Sequence, residues 1–168
     1  MEHILKSMFS NGLILIIPIL VWNFIFTDKL PAAYKAKINN SRLLVFFSAG
    51  ENIFRGIIFL LPLFIKISIS TKTWRYCFVI FLLGTLLYFF SLLPLIYALK
   101  VAWSRSYLGL LAPAYIPLIW LIGLSLLFDT YYFGMPYSKW HYIIPSILFV
   151  IFHCAHTLMK IKKSELIL

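Results

Sequence analysis

Acidic residues are what this chain has least of. Five Asp and Glu stand against fifteen Lys and Arg, for a formal net charge of +10. Charged residues of both signs make up only 12 % of the 168 residues, where a soluble domain carries about 25 %. With 62 % of the chain hydrophobic, that shortage excludes a surface able to keep a domain of this size in water. The two cysteines, Cys77 and Cys154, fall at the start of the third apolar run and late in the fifth. That separation argues against a disulfide between them, and each reads as a small buried hydrophobe. There is no glycine-rich phosphate loop, no Gly-x-Ser-x-Gly and no His-Glu-x-x-His. A nucleotide cradle, a nucleophile elbow and a zinc-protease helix are excluded in their recognisable forms. Internal repeats and low-complexity segments are absent too, and no motif is specific enough to carry a family resemblance.

What is present is a series of long apolar runs. They predict an all-α, polytopic integral membrane bundle of five transmembrane helices, one domain over residues 1–168. The expected spans are 8–26, 43–65, 76–99, 107–128 and 140–159, each near the ~20 residues that cross a ~30 Å hydrocarbon core. The first run is followed by Asp28 and Lys29 with no small-residue cleavage pattern, so it reads as a retained span. Basic residues set orientation. Lys6, Lys66, Lys72, Arg75 and Lys139 fall on one side, against nine on the other, among them Lys29, Lys35, Lys37, Arg42 and the basic tail from Lys160. The richer side should be cytoplasmic, which puts the N-terminus out and the C-terminus in, in a multi-pass protein of the plasma membrane. In a soluble protein +10 would point to nucleic acid. Here the cations sit between apolar runs, so they read as topology signals and contacts to membrane lipids with anionic headgroups, and no nucleic-acid partner is expected. Tyr131, Tyr132, Tyr137, Trp140 and Tyr142 read as an outer aromatic belt.

Polar residues inside the runs are few. Glu51 and Arg55 lie four apart within residues 43–69. On a helix they share a face, in the favourable acid-before-base order. A charge near the bilayer centre costs roughly 2.5–3.5 kcal/mol on insertion scales, so an intramembrane ionisable pair is a functional-site hypothesis by default. His153 and His156, three apart, also share a face. Counted by depth, Asn23, Glu51, Asn52, Arg55, Tyr115, His153 and His156 fall in one layer of the cytoplasmic half, whereas the outer half holds little beyond Thr85 and Ser125. Every span carries a proline. Pro113 and Pro117, among small residues, are the best place for kinks to open space, expected around the Tyr115 hydroxyl.

Such a layer leaves three functional readings. It predicts a small integral membrane protein that binds a polar or amphiphilic small molecule in a cytoplasmic-half cavity, an expectation that extends to transport of that molecule. The alternatives are an intramembrane enzyme acting on a lipid headgroup or isoprenoid, with an imidazole as general base, and a non-catalytic subunit or immunity-type protein that contacts another membrane protein. Whether the chain is an enzyme stays open. No cofactor is evident and no metal is expected; a weaker alternative has His153, His156 and Glu51 holding Zn or Fe. A homo-oligomer or a membrane-protein partner fits all three readings.

Overall fold

The computed structural model describes residues 11–31, 34, 41–67 and 73–165, with side chains through residue 163. The first residues of the first expected span (8–10), most of the polar connection before Arg42 and the loop at 68–72 lie outside the described residues.

The protein is mostly helical. Helix α1 (Leu13–Phe26) begins where Asn11 Oδ1 accepts the Leu13 N–H at 2.8 Å, which satisfies one of the free donors of a helix start. Helix α2 (Arg42–Leu60) is capped by Ser41, whose hydroxyl accepts from Leu44 N. Pro62 has no N–H to continue an α-helix, and the chain tightens into a 3-10 turn, Leu61–Phe64, before strand β1 (Ile65–Ile67). Helix α3 (Trp74–Tyr97) and the short α4 (Ala102–Arg105) follow. The next span is two helices, α5 (Tyr107–Tyr115) and α6 (Pro117–Leu127). They divide at Pro117, which has no N–H for the ladder and so takes the first position of a new helix. Strand β2 (Phe128–Tyr131) and helix α7 (Trp140–Glu165) complete the described chain.

Among the described residues, four helical stretches are long and apolar enough to cross a membrane: Arg42–Phe64, Trp74–Tyr97, Tyr107–Leu127 and Trp140–Lys163. The first expected span is not among them. Its described helix, α1, has 14 residues, or about 21 Å at the helical rise.

Two expectations are corrected. The fold is not purely α, because β1 and β2 pair antiparallel, with Ile65 opposite Tyr131 and Lys66 opposite Thr130. Asn11 bridges to Lys66 from the other side of β1. Pro62 breaks the helix just before the alternation Ile65-Lys66-Ile67, which buries both isoleucines and exposes the lysine; a strand is the local solution for that pattern. The sheet occupies the end of the bundle where α1 starts and α2 and α6 stop, and it gives their backbones partners. The aromatic belt is the second correction: Tyr142 is fully buried and donates to Ile58 O at 2.9 Å. Tyr131 is buried as well, whereas Tyr132 and Trp140 remain exposed. A tyrosine hydroxyl that finds a carbonyl can enter an apolar core. Burial also holds the Tyr137 phenol above its ordinary range, and Tyr137 donates to Ser125 O at 3.3 Å. The basic tail continues the last helix through Lys160, Lys162 and Lys163, since lysine is a good helix former and the helix dipole favours cations at a C-terminus.

Two helix pairs build the core. Helices α2 and α7 lie side by side, as do α3 and α6. Between lipid-embedded helices apolar burial gives little drive, so close approach through small residues matters. At Gly84 of α3 a Cβ would stand 2.5 Å from Trp120 N, and at Gly123 of α6 one would stand 2.5 Å from Phe81 N. Both crossings are backbone against helix, with no flexible side chain to give way. Gly84→Val and Gly123→Val are therefore each expected to lower stability by at least about 1–3 kcal/mol through overpacking. Gly56→Ala, with nothing within 4 Å of its added Cβ, should be neutral or gain up to about 1 kcal/mol from helix propensity. Thermal unfolding of the three variants in detergent checks this.

Candidate binding site

Glu51 is the centre of the site. It is buried, 4 % exposed, on the face of α2 that meets α7. Its carboxylate accepts from three side chains. Arg55, one turn on, engages Oε1 through Nη2. His153 Nδ1 reaches the same oxygen at 3.0 Å, and His156 Nδ1 takes Oε2. Both imidazoles therefore donate through Nδ1, the only role open to them toward an ionised carboxylate. The imidazoles come from one face of α7 because they are three residues apart, and the carboxylate–guanidinium pair from one face of α2 because it is four apart. Phe149 holds two of the partners in place: the His153 ring stacks on it at 5.3 Å, and the Arg55 guanidinium lies 5.9 Å from its centroid. Arg55 is the accessible member, with its side chain 43 % exposed against 5 % for Glu51.

A cavity of about 350 Å³ opens beside this cluster. Its polar lining is Asn23, Thr27, Tyr34, Arg55, Tyr88 and His153. Leu92, Phe59, Phe149 and Trp120 supply much of the apolar wall, with Pro113 and Pro117 at the broken span. Several polar groups are already committed. The Tyr88 hydroxyl donates to Asn23 Oδ1 at 2.5 Å, which joins α3 to α1. The Tyr34 hydroxyl donates to Leu110 O, and burial keeps that phenol above its ordinary range and so neutral. Trp120 is 3 % exposed, and its Nε1 has no partner among the described residues.

Of the seven residues expected in the polar layer, Glu51, Arg55, His153 and His156 form one bonded cluster, and Asn23 lies across the cavity from it. Asn52 and Tyr115 do not join. Asn52 is exposed, one position round the helix from Glu51. Tyr115 is 37 % exposed and its hydroxyl turns to Leu108 O, so the space at the prolines is not built around it. Depth alone placed these two residues, and depth does not say which way a helix face points. Sequence reasoning missed Tyr34, Tyr88 and Trp120. Tyr88 had a usable signal, as a hydroxyl in the middle of a span otherwise nearly free of polar atoms, which must find a partner. The three side chains of the weaker metal alternative meet as two donors on one acceptor, and among the described residues no group of three His, Cys, Asp or Glu side chains is placed to hold a metal ion.

Fold and site together define a multi-pass helical membrane protein with a charged cluster beside a cavity that its Arg55 and His153 line. Comparison with known proteins finds no family model, no curated protein and no solved structure that matches the chain.

Glu51 is the shared acceptor, so its loss strands three donors, whereas loss of one histidine strands none. Glu51→Ala is expected to destabilise by about 1–3 kcal/mol or more, and His153→Ala and His156→Ala by less than that. Unfolding of the three variants in one detergent gives the order.

Proposed function

We propose that the protein binds a polar or amphiphilic small molecule in the cavity beside Glu51 and Arg55, and moves it across the plasma membrane. The observation that carries this reading is the composition of the cavity wall. A guanidinium, an imidazole and an amide line one cavity with phenylalanine, leucine and tryptophan. Polar groups that fix orientation within a largely apolar pocket are the general make-up of a ligand site. A cluster that served only to fasten α2 to α7 would have no reason to leave its arginine exposed to a cavity. That weighs against the reading as a purely non-catalytic subunit.

The same proposal takes α1 as a fifth membrane-embedded helix, extended by the 3-10 turn Thr27–Lys29. The bias of basic residues then puts the N-terminus outside and the C-terminus in the cytoplasm. On that orientation the cavity lies in the cytoplasmic half and the small sheet faces out. A reporter active only in the cytoplasm should work when fused after residue 168 and fail when fused before residue 1; the reverse pattern would overturn the orientation. For the function itself, purified protein in proteoliposomes should accumulate an amphiphilic solute when an inward proton gradient is imposed. Glu51→Gln should uncouple that uptake from the gradient while the protein stays folded. Conversion of a lipid substrate by the protein in detergent, lost with His153→Ala, would favour the intramembrane-enzyme alternative instead.

A further inference from the structure

The charges around the cavity are unevenly placed. Arg55 and His153 line it, and no acidic side chain does so among the described residues. The one carboxylate of the cluster, Glu51, is buried beside the wall rather than part of it. Asn23 spends its carbonyl oxygen on the Tyr88 hydroxyl, so what its amide has left to offer is mainly donors. One accessible guanidinium with no carboxylate on the wall beside it suits an anionic group, and a planar guanidinium fork suits carboxylate, sulfonate or phosphate best.

Arg55 is also replaceable at Glu51. Its Nη2 shares Oε1 with His153, while His156 holds Oε2. If Arg55 swings to a ligand, both carboxylate oxygens keep a hydrogen bond, but the buried negative charge loses its only permanent cation. An imidazole in contact with it is the group able to restore that charge, because imidazole takes up a proton near neutral pH. His156 has Lys160 one turn beyond it on α7, so a second cation there is disfavoured. His153 stands at the oxygen that Arg55 vacates. The other elements around the cluster offer nothing that competes for the proton. Helices α1, α5 and α6 contain no Asp, Glu, Lys, Arg or His, α3 contributes the Tyr88 phenol, and the connection after α1 contributes the Tyr34 phenol. Cys154 follows His153 on α7 but carries no proton-accepting role as a neutral thiol.

We propose that the cavity takes an anionic head group onto Arg55, which leaves Glu51 for the ligand while His153 takes up one proton from solution to keep Glu51 paired. This rests on the reading of the cavity as a small-molecule site and adds the charge of the ligand and its link to protons. Binding one anion then consumes one proton, so affinity rises as pH falls, by up to about tenfold per pH unit.

The test uses the full chain in nanodiscs of zwitterionic lipid, with calorimetric titration at pH 6 and pH 8. The probes are decyl sulfonate, decanol and inorganic sulfate. Sulfonate stays ionised throughout, so any pH slope belongs to the protein. Decyl sulfonate should bind at least tenfold more tightly than decanol, and more tightly at pH 6 than at pH 8. His153→Gln should flatten the pH dependence and His156→Gln should keep it. Glu51→Gln should bind sulfonate at pH 8 as tightly as the wild type does at pH 6, because Arg55 is then free at every pH. Arg55→Lys should retain the preference for sulfonate over decanol and Arg55→Gln should lose it; should the latter not fold, Glu51→Gln decides. Sulfate binding as tightly as decyl sulfonate would support the anion site and identify its ligand as a free anion rather than an amphiphile. Equal affinity for sulfonate and decanol overturns the anion inference and leaves the cavity reading standing. A wild type without pH dependence overturns the proton link. Binding of none of the three overturns both readings.

Discussion

One carboxylate organises the interior of this protein. Glu51 receives Arg55 from its own helix and His153 and His156 from α7, and as an ionised carboxylate it can accept from all three. A lone buried carboxylate would shed its charge or unfold the site. Three donors around it make the charged form tolerable, and they also fix how α2 and α7 are turned against each other. If α7 were rotated by one residue, both imidazoles would leave the contact, because their shared face is narrow.

The second helix pair is held by a different means. Helices α3 and α6 meet at Gly84 and Gly123, where the backbones come too close to admit a side chain. Three buried hydroxyls on these and neighbouring helices close onto their own turns: Thr85 on Phe81 O, Ser91 on Tyr88 O, Ser146 on Tyr142 O. These contacts satisfy each helix internally, so they leave no donors for a partner. Polar bonds between helices are made around Glu51, by Tyr142 to Ile58 O and in the Tyr88–Asn23 bridge, and the cavity lies between the Glu51 cluster and that bridge. The broken span, α5 with α6, presents Pro113 and Pro117 to the same space, where a continuous helix would leave less room. At the other end, the β1–β2 pair ties the ends of α2 and α6 together.

Much of this was legible in the residues. Charge scarcity and the length of the apolar runs identify a membrane protein, because no water-soluble core of this size could hide so much apolar surface. Helix period alone puts Glu51 with Arg55 and His153 with His156. The strand at Ile65-Lys66-Ile67 was harder to see. Three residues at the end of a long apolar run look like more of the run until a partner strand sixty residues on gives them a register.

Composition and periodicity, then, determine the solvent of this chain, the extent of its long helices and which polar side chains share a helix face. They do so because each depends only on residues close in sequence. Only the tertiary structure decides that the Glu51 face of α2 meets the imidazole face of α7, that Asn52 and Tyr115 turn away, and that Tyr34, Tyr88 and Trp120 border the cavity. These depend on the rotation of each helix about its axis and on which helices are neighbours, and both are set by close packing between residues far apart in the chain.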